Sequence, residues 1–185
     1  MRDQAIGRAV LAMDDLLQRS DFGDVLTRLR TAYQDAGQAW FLDQGDAATR
    51  QVRTGLAALT EAEGTPLLAR TPSEHPGWIR LGLLTALMTW CAGKADTCVH
   101  APDPWHPQPV TAAAWKPGLV VCSRCPHLTS LPRGSVRDRT CDGCGTVTLF
   151  APGEQRGIWP VTVSQGSFMY MAGVCVDCRY WPTGE

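Results

Sequence analysis

The chain lacks most of the features that make a function easy to read. It has no surplus of charge: 17 Lys and Arg against 18 Asp and Glu leave a net charge of -1 and a pI near 6.4, which excludes a general pull toward polyanions. It has no long apolar run. The longest, Leu81 to Ala92, is interrupted by Thr85 and Thr89 and is too short to span a bilayer. The first residues reach Asp14 and Asp15 before any long apolar stretch, which is wrong for a secretory signal, so a cytoplasmic protein without membrane association is expected. Catalytic signatures are missing too: there is no His-Glu-x-x-His, no phosphate-cradling glycine loop and no Gly-x-Ser-x-Gly elbow. Cysteine itself is nearly absent from residues 1–93, which contain Cys91 alone, placed on an apolar helical stretch where a thiol is expected to be a small buried hydrophobe.

What is present divides in two. In the first half, apolar residues recur at helical spacing. One stripe is Ile6, Ala9, Val10, Met13, Leu16 and Leu17; a second, after a cap at Asp21, is Val25, Leu29, Ala32, Tyr33, Ala36 and Trp40. A third stripe, Ala48, Val52, Leu56 and Leu59, stops near Gly64. A fourth helix is predicted from about Ser73, with Pro76 in its first turn, to Gly93. Its Ile79, Leu83, Leu84, Leu87, Met88 and Trp90 leave little polar face, so it belongs at the centre of a small bundle.

Residues 94–117 form a proline-rich strap. Pro102, Pro104, Pro107, Pro109 and Pro117 each fix φ and disfavour helix in the residue before. Trp105 and Trp115 are costly to leave in water, so the strap is expected to pack against a folded part of the chain. Beyond it, strands are predicted over 119–122, 147–150, 158–163 and 168–174, with Phe150, Trp159, Phe168, Tyr170 and Trp181 as core aromatics.

The chemistry lies in seven cysteines of the second half. Cys122 and Cys125 form one Cys-x-x-Cys pair, Cys141 and Cys144 a second, and Cys175 and Cys178 a third. Disulfides are disfavoured in a reducing compartment, and a thioredoxin-like redox site needs one such pair on a βαβ frame. Zinc fits the pattern. Each pair supplies two sulfurs about one tetrahedral edge apart, and Gly143 and Gly145 permit a tight turn that aims amides at thiolates. The first site is therefore assigned to Cys122, Cys125, Cys141 and Cys144. Over residues 118–150 the chain resembles a zinc ribbon, the β module whose knuckles read CxxC and CxxCG, as Cys122, Cys125, Cys141, Cys144 and Gly145 do. That resemblance implies contact with nucleic acid or a protein partner.

The third pair requires two more donors. Cys98 and His100 lie two apart in an extended segment, so their side chains point the same way. A second site of Cys98, His100, Cys175 and Cys178 is expected, nested around the first, with Cys91, His106 or His127 as substitutes. Four protein ligands leave no position for water, so both zinc ions are read as structural and the chain as non-enzymatic. Were His100 not a ligand, an open three-cysteine site with Asp103 or His106 as base would suit a zinc-dependent hydrolase.

Arg124, Arg133, Arg137 and Arg139 around the loop between knuckles are candidate phosphate contacts. They compete with a reading in which the loop is a solvated face, Arg137 and Arg139 flanking Asp138. The combined expectation is an α+β protein: a helical domain over 1–93, the strap over 94–117, and a zinc-binding, ribbon-like β-rich domain over 118–185 to which 98–100 contribute. It acts as an interaction module for a protein partner or, alternatively, for nucleic acid.

Overall fold

The computed structural model describes residues 2–63, 70–150, 152, 154 and 156–180. Gly64 and Trp181, singled out from the sequence as a helix stop and a core aromatic, lie outside the described residues. Among the described residues the architecture is α+β: four α-helices, α1 (Arg2–Leu17), α2 (Phe22–Asp35), α3 (Ala39–Glu63) and α4 (Gly77–Cys91), followed by a five-stranded mixed sheet. Its strands are β1 (Asp96–Thr97), β2 (Val110–Ala113), β3 (Lys116–Cys122), β4 (Trp159–Gln165) and β5 (Phe168–Val174), in spatial order β1-β3-β2-β5-β4. Among the described residues no helix is long and apolar enough to cross a membrane.

The core explains the order of elements. α4, apolar nearly all round, lies between α1 and the sheet. Ile79, Leu83, Leu84 and Trp90 are buried there with Val10 and Leu17 of α1 on one side, and with Val110, Ala112, Val120, Phe168 and Tyr170 of the sheet on the other. Asp14 of α1 fixes the helix pair further, accepting from Arg80 Nε at 2.8 Å in a mostly buried ion pair. The helix predicted from Ser73 begins later, at Gly77, because Pro72–Glu74 forms a separate 3-10 turn and His75 and Pro76 are extended.

Several expectations are corrected. The α2 stripe does not reach the core: α2 has no buried residue, and Leu29 and Trp40 are about half exposed. The chain breaks at Gly37, so Trp40 belongs to α3, where Phe41 stacks on Tyr33 and Arg30 pairs with Asp46. Asp21 precedes α2 but makes no side-chain cap, because its carboxylate is taken by Arg19. Cys91 is exposed, at the last turn of α4 on the side away from the core. Trp105 is 68 % exposed, carried out on the Asp103–His106 turn, whereas Trp115 is half-buried and donates from Nε1 to Thr129 O at 2.6 Å. Phe150 is exposed, and the strand predicted over 147–150 reduces to one bridge, Thr140 to Val147. Conversely, the strap contributes β2, a fully buried inner strand that pairs antiparallel with β3 and parallel with β5.

Candidate metal centres

Strand register decides which cysteines meet. β1 runs parallel to β3 with Thr97 opposite Val120, so Cys98, just after β1, arrives beside Cys122 at the end of β3. A tight turn, with the Cys125 amide donating to Cys122 O at 2.9 Å, brings Cys125 to the same place. There Cys98, His100, Cys122 and Cys125 gather with all donor atoms within 4.8 Å of one another. Cys141, Cys144, Cys175 and Cys178 form a second group meeting the same distance limit. Its Cys175 and Cys178 follow β5, and the Asp142 amide between the other two donates to Gly173 O at 2.7 Å, holding that loop against the end of β5.

The nested pairing expected from sequence is thus corrected. Cys122 and Cys125 do not share a site with Cys141 and Cys144, nor Cys98 and His100 with Cys175 and Cys178. The reason is geometric. Val110 of β2 faces both Cys122 of β3 and Phe168 of β5, and β5 runs on six residues from Phe168 to Val174 before its cysteines begin. At a rise of about 3.3 Å per residue, the ends of β3 and β5 lie about 20 Å apart, on opposite ends of the sheet. With its two knuckles divided between two centres, residues 118–150 do not close on themselves as a ribbon would.

Both groups have the dimensions of tetrahedral zinc. Zn–S bonds of about 2.3 Å and Zn–N bonds of about 2.0 Å require S···S edges of about 3.8 Å and S···N edges of about 3.5 Å. In the first group Cys98 Sγ lies 3.7 Å from Cys122 Sγ, and His100 Nδ1 lies 3.9, 3.5 and 3.3 Å from the sulfurs of Cys98, Cys122 and Cys125. In the second, Cys144 Sγ and Cys175 Sγ are 3.7 Å apart. A disulfide would need about 2.0 Å, and all eight cysteines are free. Soft thiolate and imidazole donors suit zinc, and in the all-sulfur group also iron.

The surroundings favour charged sulfur. The Cys122 amide donates to Cys98 Sγ at 3.5 Å and the Cys175 amide to Cys141 Sγ at 3.3 Å, each reaching from one ligand pair to the other. At Cys98, burial opposes ionisation, yet the Cys122 and His100 amides and the adjoining His100 and Cys122 side chains bring the thiol down to about 6. Thr146, through its hydroxyl and its amide, lowers Cys144 to about 6. Burial first, and then neighbouring sulfurs, pushes Cys125 up to about 11 and raises Cys178 as well. Each group therefore combines a ready thiolate with thiols that keep their protons until a cation displaces them.

Some residues around the second group escaped the sequence reading. Asp142, 3 % exposed in its side chain, accepts from the Gly173 amide at 2.6 Å and from Arg137 Nη2 at 2.5 Å. Trp78 of α4 packs so closely that a side chain at Gly143 would come within 3.1 Å of its ring and 3.2 Å of Cys178 Sγ. The only sequence signal for Asp142 is its place between two ligating cysteines, which does not suffice, since Asp177 between Cys175 and Cys178 is exposed. Cys91, His106 and His127 belong to neither group. Among the arginines, Arg124 and Arg133 are exposed, but Arg137 is engaged with Asp142 and Ala114 O, and Arg139 Nε is buried.

No protein-family model, curated protein or solved structure matches the chain.

Proposed function

We propose that this protein holds two structural zinc ions, one by Cys98, His100, Cys122 and Cys125 and one by Cys141, Cys144, Cys175 and Cys178, and serves as a non-enzymatic cytoplasmic interaction module. The observation that carries this reading is the closure of each group: four donors at tetrahedral spacing leave no coordination position for a water molecule. His100 sits with its Nδ1 among three sulfurs, which argues against the open three-cysteine site of a hydrolase, and Asp103 and His106 pair with each other at 2.9 Å in solvent. Zinc binding of this kind supplies folding energy, about 10 kcal/mol or more per site, to a half of the chain whose strands are short.

A protein partner fits the surface better than nucleic acid. Leu26, Leu29, Trp40 and Leu59 expose apolar surface on α2 and α3, while the arginine group reduces to Arg124 and Arg133 as free cations. With seven thiolates and two zinc ions the centres together carry a charge of -3, which opposes phosphate binding near them. Native mass spectrometry of the purified chain is expected to show two zinc ions per chain, and strong chelation to abolish the sheet's circular-dichroism signal. One ion, none, or an unchanged fold after chelation defeats the structural reading. Binding to DNA or RNA that weakens steeply with salt and disappears in an Arg124/Arg133 double alanine variant would instead establish nucleic acid as the partner.

A further inference from the structure

Tyr170 and Gly82 face each other in a way that packing alone does not require. On the helix side of the sheet, register places Val163, Tyr170, Ala112 and Val120 in one row across β4, β5, β2 and β3. Tyr170 is large and Ala112 is small, so a hollow opens above β2 beside the tyrosine ring. The covering helix deepens it. α4 presents Gly82 and Ala86 here, and a Cβ on Gly82 would stand 2.5 Å from Tyr170 Oη and 3.0 Å from its ring. A glycine in the interior of a helix costs about 1 kcal/mol relative to alanine, and what it does here is make room for that hydroxyl.

The result is a cleft of about 290 Å³ between α4 and the β2–β3 hairpin, lined by Gly82, Ala86, Ala112, Ala113, Val120 and Tyr170, with Lys116 also on its wall. It lies at the lower end of the range for small-molecule sites. Its walls are chiefly apolar, with Thr85 and Thr89 of α4 also on them, and Tyr170 brings a hydroxyl from the sheet side. Tyr170 is 7 % exposed as a residue, and its hydroxyl, which is not one of the fully buried unpaired polar atoms, meets the open space of the cleft. The cleft therefore holds a hydroxyl donor that no described protein group engages and that a bound acceptor would take over from water. Burial pushes the phenol up to about 12, helped by the charge of Asp142, so it keeps its proton across the physiological range. Lys116 keeps its charge, but its Nζ is turned to Leu128 O, to which it donates at 2.7 Å.

We infer that this cleft binds a small, neutral, largely apolar molecule through one acceptor, a carbonyl or equivalent oxygen that takes the Tyr170 hydroxyl's hydrogen bond. The site is separate from the two metal centres, sharing no residue with either.

Acetophenone and α-methylstyrene, alike in shape but with the carbonyl oxygen replaced by a methylene in the second, are suitable probes for the full zinc-loaded chain. Saturation-transfer NMR and titration are expected to show acetophenone binding at millimolar concentration or below, more tightly than α-methylstyrene. Tyr170→Phe should weaken acetophenone about three- to tenfold and leave α-methylstyrene unchanged. Ala112→Leu, which fills the hollow from the sheet, should abolish both, and Ala86→Leu does the same from the helix should the first variant fail to fold. The inference is overturned by absence of saturation transfer to acetophenone from the folded protein, by equal binding to the filled variants, or by indifference of acetophenone to Tyr170→Phe.

Discussion

Asp142 and Gly173 exchange two hydrogen bonds: the Asp142 amide donates to Gly173 O at 2.7 Å, and the Gly173 amide donates to Asp142 Oδ2 at 2.6 Å. This double bond of contact joins the loop bearing Cys141 and Cys144 to the strand that leads into Cys175 and Cys178. It aligns two ligand pairs that are distant in sequence. Space at Gly173 is also closed, since a Cβ there would lie 2.7 Å from Ile158 Cγ2.

Asp142→Ala removes the acceptor for the Gly173 amide and the carboxylate partner of Arg137, which keeps Ala114 O. The expected loss is about 1–3 kcal/mol of stability and about 10- to 100-fold in zinc affinity at the second centre alone. Chelator competition on a Cys98→Ser background, in which only that centre remains, measures the affinity, and urea unfolding measures the stability. Unchanged zinc retention would show that the aspartate does not position the ligands.

The grouping of ligands can be read by counting ions in paired variants. Cys98→Ser with Cys122→Ser places both losses in one centre, so native mass spectrometry should find one zinc ion remaining. Cys122→Ser with Cys141→Ser divides the losses and should remove both ions. A nested arrangement would give the reverse result, because Cys122 and Cys141 would then share an ion.

His75 supplies a dependence on pH. Burial, followed by the charges of Arg70 and Arg80, lowers its pKa, with Glu74 opposing; its Nδ1 lies 3.0 Å from Tyr180 Oη. Because the folded value lies below the unfolded one, the unfolded chain takes up the proton first. The stability that His75 contributes is present above about pH 6.5 and declines as pH falls through the lowered folded value. The difference in urea midpoint between wild type and His75→Gln, followed from pH 7.5 to 5, should shift against the wild type on acidification. Taking the difference cancels the acid sensitivity of the metal ligands, and a constant difference would refute the assignment.

Gly82→Ala offers a contest between two effects of known sign. Helix propensity favours alanine by about 1 kcal/mol, whereas forcing a methyl against the Tyr170 ring and hydroxyl costs about 1–3 kcal/mol. The variant is expected to be destabilised in thermal unfolding, and Tyr170→Phe in the same chain to recover part of the loss by removing the nearest atom. A more stable single variant would mean that the ring moves aside freely.

The donors were legible in the sequence because Cys-x-x-Cys spacing is a local property: all eight side chains chosen from sequence fall in the two groups. Which pairs join was not legible, since that depends on sheet register, and the decisive strands are short. β1 has two residues and β2 four; neither shows an alternation, and in β2 only Val110 and Thr111 favour strand, followed by two alanines and preceded by prolines. α4 announced its central position by lacking a polar face. α2 misled for a complementary reason: periodicity establishes that a helix has an apolar side, not that anything covers it, and Leu26 and Leu29 remain uncovered.

Sequential grouping also sets an order on biosynthesis. The first centre has every donor it needs once Cys125 has left the ribosome, while the second must wait for Cys178, so metal can capture one end of the nascent sheet before β4 and β5 have been translated. Had the pairs been nested, the inner centre would have closed before the outer, but His100 and Cys98 would have stayed without partners until the last donor emerged.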